Sequence, residues 1–138
     1  MANKHKGSNA ERELLHLFWS KGWACSRVAG SGSSHYPSPD LIVGTPSRKL
    51  AIECKTTKAS RKYFPLDEID QLRKFCVMFG AEPWIGLRFS RTEWHFVALD
   101  DLDKTHTAYC ISLEQAKQKG ILLEELLELL ALPALPSS

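Results

Sequence analysis

Apolar residues recur at Ala10, Leu14, Leu17 and Phe18, a spacing of three and four that places them on one face of a helix. Ser8-Asn9-Ala10-Glu11 matches a capping box at its start and Gly22 marks its end. The period then shortens. Trp23 to Val28 reads as a short strand, Asp40 to Val43 as a buried strand, and Leu50 to Lys55 as its hairpin partner across a turn at Gly44 to Lys49. Between them Ala29 to Pro39 (AGSGSSHYPSP) is too rich in Gly, Ser and Pro for regular structure and reads as a flexible loop. A second helical stripe of Ile69, Leu72, Cys76 and Phe79 runs through Leu66 to Phe79 and stops at Gly80. Pro83 to Phe89 and Trp94 to Leu99 form another hairpin, and Ser112 opens a last helix that includes Leu122 to Leu132 and ends at Pro133. The order α-β-β-β-α-β-β-α predicts an α/β fold, a central mixed sheet of about five strands flanked by helices. The predicted boundaries are a flexible basic arm over 1–7, one domain over 8–132 and a small-residue tail over 133–138.

One strand breaks its own pattern. In Leu50-Ala51-Ile52-Glu53-Cys54-Lys55 the apolar run carries a carboxylate and an ammonium that give a buried strand no stability. Asp40 opens the preceding strand, so an antiparallel hairpin brings it close to Glu53, and Lys55 leaves the same face as Glu53. Two like charges about 4 Å apart cost roughly 4 kcal/mol at an effective dielectric of 20. A cation between them relieves that cost. Two or three carboxylates suffice for Mg²⁺, which keeps several waters, and such an ion activates water for phosphodiester hydrolysis. Lys55 is then placed to orient that water or to stabilise developing negative charge. The alternative is plainer: Asp40 and Glu53 are solvent-facing and Lys55 is their surface counter-ion.

Composition adds a partner. The net charge is +2, yet residues 1–62 carry eleven Lys and Arg against four Asp and Glu, and the rest of the chain is acidic. A basic half on a near-neutral chain fits an anionic partner, nucleic acid above all. Cys25, Cys54, Cys76 and Cys110 make no C-x-x-C pair, and the five histidines show no ligand spacing, so neither structural zinc nor a disulfide framework is expected. Without an apolar run near 18 residues or a signal-like start, the chain reads as a reduced, cytoplasmic protein with no membrane partner. Glu11 reads equally as a cap, Arg12 as a solvated helix residue and Arg27 as a snorkelling strand residue, though Arg27 beside the loop is also placed to meet a phosphate bidentately.

The run Lys6-Gly7-Ser8-x-x-Glu11-Arg12-Glu13-Leu14, then Arg27-x-Ala29-Gly30-Ser31, Pro39-Asp40-Leu41 and Ile52-Glu53-Cys54-Lys55, resembles the archaeal Holliday junction resolvases, part of the wider PD-(D/E)xK, restriction-endonuclease-like superfamily. The D…ExK core names a reaction, whereas the opening and the Arg-x-Ala-Gly-Ser exit are more specific. The resemblance implies that Glu11, Asp40 and Glu53 bind Mg²⁺ (with Mn²⁺ as a substitute), that Lys55 acts at the attacking water, that Arg12 and Arg27 contact phosphates, and that Ser31 assists. The stretch Gly32 to Ser38 is longer than the family pattern, which leaves Ser31, Ser33 and Ser34 all open for that role.

The expected activity is paired, symmetric cleavage of four-way DNA junctions in recombination and repair. Lys4, Lys6, Arg12, Arg27, Lys58, Arg61 and Lys62 are the candidate DNA contacts, with Lys58, Arg61 and Lys62 expected in a loop. Two symmetric nicks need two sites about a two-fold axis, hence a homodimer. Its interface is expected on the 66–79 helix, where the resemblance points to Phe75 and Phe79, although a helix buried on both sides is the alternative. Two rivals stand beside this reading: a nuclease of the same fold acting on duplex or flap DNA, and a structure-specific DNA binder that has lost cleavage.

Overall fold

The computed structural model describes residues 2–28 and 36–131, with side chains from Asn9 onward. Helix α1 (Ala2–Ser20) leads into strands β1 (Ala24–Arg27), β2 (Leu41–Gly44), β3 (Lys49–Thr57) and β4 (Arg61–Pro65). Helix α2 (Leu66–Phe79) follows, then β5 (Glu82–Phe89), β6 (His95–Ala98), β7 (Asp103–Lys104) and β8 (Ala108–Ser112), and finally α3 (Leu113–Lys119), β9 (Ile121–Leu122) and α4 (Leu123–Ala131). A mixed six-stranded sheet in the order β1-β2-β3-β5-β6-β9 forms the centre, and β4-β8-β7 make a small second sheet. The expected α/β architecture is present. β3 and β5 pair in parallel along eight residues, as the α2 crossover between them allows.

The two faces of the central sheet bury separate cores. Leu50 and Ile52 of β3 join Leu41, Val43 and Phe96 against Leu14 and Phe18 of α1 and Leu126, Leu127 and Leu130 of α4. Ala51, between them, points the other way with Ile85, Leu87 and Val97, against Ile69, Leu72 and Cys76 of α2. This period-two alternation sends Glu53 and Lys55 to the α2 face. Arg48, almost fully buried, ties the start of β3 to the far side of the sheet: its guanidinium grips Glu82 and donates to the Leu129 carbonyl at 2.5 Å.

Three sequence expectations need correction. α1 starts at Ala2, so Ser8 lies inside the helix and no capping box forms there. Arg61 and Lys62 are on strand β4, paired with Ser112 and Ile111 of β8, rather than in a loop. The single C-terminal helix is two, α3 and α4, separated at Gly120 by the short strand β9. A Cβ at Gly120 would sit 2.5 Å from the Ala116 carbonyl oxygen and 3.1 Å from Val97, so the chain can turn this close to the sheet only as glycine. Ser112 does open α3, with a capping box shared with Gln115.

Candidate active site

The β2–β3 register pairs Leu41 with Ile52, and the next step along it sets Asp40 against Glu53. The Asp40 amide donates to the Ile52 carbonyl at 3.1 Å, and the Cys54 amide donates to Asp40 Oδ2 at 2.8 Å. The Asp40 carboxylate is thereby anchored to the backbone of the strand that carries Glu53 and Lys55. Those three residues open into one cleft of about 340 Å³ whose walls include Ser38 and, from the first turn of α2, Asp67 and Glu68. Lys55 Nζ donates to Glu68 Oε1 at 2.6 Å.

Electrostatics in the cleft are dominated by crowded carboxyls. Burial first, then the Asp40 carboxyl and the Glu68 carboxyl against it, push the Glu53 pKa up from 4.5 to about 10, with Lys55 opposing. Burial and the neighbouring carboxyls therefore favour the protonated form of Glu53 in the metal-free protein. Burial works against the charge of Lys55, but its bond to Glu68 and the nearby negative charges outweigh that and raise its pKa. Among the described residues three buried side-chain polar atoms lack a hydrogen-bond partner, and two of them, Ser38 Oγ and Glu53 Oε1, belong to this cleft. Both oxygens are thus unmatched within the protein and available to a polar group in the cleft.

Glu11 approaches from the α1 side. It accepts from Arg27 Nε at 2.7 Å, and its pKa is raised chiefly by burial and, after the opposing Arg27 bond, by Asp40. The structure therefore joins Glu11 to Arg27 and gives it an electrostatic link to Asp40 and Lys55, but Glu11 does not itself line the cleft. Among the described residues no three His, Cys, Asp or Glu side chains form a ready-made metal cage. A hard cation that keeps its waters needs no such cage, and paired carboxylates with an unmatched buried oxygen suit it.

The remaining expected contacts fall in several places. Ser31 and its neighbours Ser33 and Ser34 lie outside the described residues, as do the side chains of Lys4 and Lys6. Arg12 is exposed on α1 and Arg27 sits at the end of β1. Lys58 lines a separate groove of about 590 Å³ with Asn9, Thr56, Thr57, Arg88 and Arg91. Arg61 and Lys62 stand on the small sheet. Sequence reasoning missed Arg88, which closes an ion pair with Glu13, because a lone arginine in a strand reads as surface. It also missed Glu68, because acids in a first helical turn read as dipole partners, and Ser38, which looked like loop filler before Pro39.

On α2, Phe75 and Phe79 stack at 5.2 Å between centroids, and Val77, Met78 and Phe79 are exposed. Phe75, Met78 and Phe79 border an apolar hollow of about 460 Å³ with Tyr36 and Pro37. In the single chain this helix is not buried on both sides.

A profile of the archaeal Holliday junction resolvase (Hjc) family matches residues 2–133. The chain belongs to that family. It is 38% identical over 129 residues to the crossover junction endodeoxyribonuclease Hjc of Archaeoglobus fulgidus, covering 88% of this chain and 95% of the relative. It is 31% identical over 128 residues to the Hjc of Sulfurisphaera tokodaii, covering 91% and 88%. The solved structure of Archaeoglobus fulgidus Hjc, described as a Holliday junction resolvase from an archaeal hyperthermophile, superposes with a TM-score of 0.81 at 36% identity over 87% of this chain and 98% of that one. Among the described residues no helix is long and apolar enough to cross a membrane.

The Glu53 geometry has a measurable consequence. Its folded pKa lies above the ordinary 4.5, so the stability it supports is complete at low pH and is lost as pH rises from about 4.5 toward 10. Glu53→Gln keeps the neutral form at every pH. In thermal melts with EDTA, wild type should lose stability between pH 5 and pH 9 more steeply than Glu53→Gln, which should be the more stable of the two at pH 7. Parallel pH profiles for the two proteins would contradict the protonated Glu53.

Proposed function

We propose that this chain is a divalent-cation-dependent endonuclease that resolves four-way DNA junctions by paired symmetric nicks, as a homodimer, in recombination and repair. The observation that carries the reading is the cleft where Asp40 and Glu53 oppose each other beside Lys55, in a chain that matches the family along nearly all its length. The relatives' names, crossover junction endodeoxyribonucleases, supply the substrate class. Asp40 and Glu53 are the residues to hold Mg²⁺, or Mn²⁺ in its place, with Glu11 contributing from α1. Their all-oxygen donor set and the unmatched Glu53 Oε1 fit such an ion. When bound, the cation supplies charge neutralisation at the phosphodiester and a more acidic water.

The protein's own groups do the rest. Lys55 Nζ stands on the same strand face as Glu53, where its positive charge can meet the negative charge that builds on the phosphate. Arg27, braced by Glu11, and the basic groove of Lys58, Arg88 and Arg91 offer phosphate contacts on either side. Arg12 extends that surface from α1, and Arg61 and Lys62 from the small sheet, and Lys4 and Lys6 are proposed as further contacts. Ser31, four residues after the end of β1 at Arg27, is the proposed assisting serine.

The homodimer reading is supported by the exposed apolar end of α2. Phe75, Met78 and Phe79 with Tyr36 form the kind of patch that a monomer rarely leaves open. A second copy seated there gives two clefts about one axis.

Two outcomes are expected. A synthetic four-way junction should receive paired nicks in opposite arms with Mg²⁺ and none with EDTA, a matched linear duplex should stay intact, and Asp40→Asn should lose cleavage by at least about a hundredfold while binding the junction normally. Equal duplex cutting would favour a general nuclease, binding without cutting an inactive binder, and an active Asp40→Asn protein would remove the metal assignment. Separately, light scattering should give a dimer's mass for wild type and a monomer's for Phe79→Glu; a monomeric wild type at micromolar concentration would contradict the dimer.

A further inference from the structure

Lys55 has a partner that the reading above leaves without a role. α2 starts directly after β4, with Pro65 as the junction, and its first turn delivers Glu68 into the cleft. That turn is held on two sides: β4 pairs with β8 through Pro65 and Ala108, and the Tyr109 hydroxyl of β8 donates to Asp70 Oδ1 at 3.2 Å. Glu68 is thus carried by rigid elements, and its Oε1 takes the Lys55 ammonium at 2.6 Å with the two side chains 23% and 30% exposed. Asp67 in the same turn is exposed and already complements the helix dipole, so the dipole alone does not account for a second acid turned inward.

We infer that Glu68 is a positioning residue for cleavage, holding the Lys55 ammonium in the cleft beside Asp40 and Glu53 so that it faces the scissile phosphate. The inference rests on the nuclease reading of this cleft. A lysine head group sits on a flexible four-carbon stem, and a free one samples solvent. Fixing it before substrate arrives removes that search from the reaction, and misplacement by about 1 Å can cost about a hundredfold in rate. Glu68 itself touches neither phosphate nor water in this role; it acts through Lys55.

The test is single-turnover cleavage of a four-way junction across a Mg²⁺ titration, for wild type, Glu68→Gln, Glu68→Ala, Lys55→Ala and the Lys55→Ala/Glu68→Ala double variant. Junction binding is measured in EDTA and folding by circular dichroism. Glu68→Ala should cut about 30- to 100-fold more slowly, and Glu68→Gln, which keeps an acceptor oxygen, should lose less. Junction affinity and the Mg²⁺ midpoint should stay within about twofold, and the double variant should be no slower than Lys55→Ala, as expected of two groups acting as one unit. If Glu68→Ala does not fold, Glu68→Gln carries the comparison. An unchanged rate, additive losses, or a shifted Mg²⁺ midpoint with full rate at high Mg²⁺ would each overturn the inference, the last by making Glu68 a metal contact. If wild type leaves the junction uncut, the nuclease reading falls and this inference with it; if wild type cuts and Glu68→Ala cuts as fast, only the inference falls.

Discussion

Asp40 and Glu53 face each other across an antiparallel ladder, and the fold offers no way to separate them. The ladder hydrogen bonds between β2 and β3 set the register, and the Cys54 amide fastens the Asp40 carboxylate to the opposite strand. Both acids stand partly out of water, with Glu68 pressing from α2. In the metal-free protein a proton on Glu53 relieves the repulsion, which costs nothing at low pH and progressively more above it. A divalent cation is the other way to relieve it, and it is the way that yields chemistry.

The rest of the architecture arranges access to that point. Strict alternation along β3 gives one core to α1 and α4 and the other to α2, so Ile52 and Cys54 pack while Glu53 and Lys55 project. The two ends of α2 differ: acids in its first turn enter the cleft, and aromatics in its last turn form an exposed apolar patch. In the proposed dimer, one short, stiff element joining the cleft to the two-fold contact would fix the spacing of the two clefts. That spacing is what symmetrical nicking requires. The cysteines stay out of this chemistry, with burial raising the Cys25 thiol to about 12 and the Cys76 thiol to about 11.

The legible parts were those in which local pattern and tertiary role agree. Glu53 and Lys55 were visible because they interrupt an apolar strand, and Asp40 because a hairpin is a short-range structure whose register a turn can set. α2 was readable to its ends, since a clean 3.6-residue stripe stops at Gly80, which adopts a positive φ of 79°. The small sheet was hidden, because β4 starts with Arg61 and Lys62 and pairs with β8 nearly fifty residues away. The break between α3 and α4 was hidden too: the leucines of 122–130 suit a continuous helix, and the pairing of Ile121 and Leu122 with β6 that interrupts it is a tertiary contact. Glu68 was the costliest omission, since nothing in its neighbourhood along the chain says that a helix places it on Lys55.

If Glu53 takes the proposed cation, the proton that burial and the neighbouring carboxyls favour on it has to leave. Calorimetric titration of Mg²⁺ or Mn²⁺ at pH 7, repeated in two buffers of different ionisation enthalpy, measures that proton directly. About one proton should be released per ion bound by the wild type, and none by Glu53→Gln. The same heat in both buffers for wild type would mean that no proton leaves, and the account of the site would be wrong.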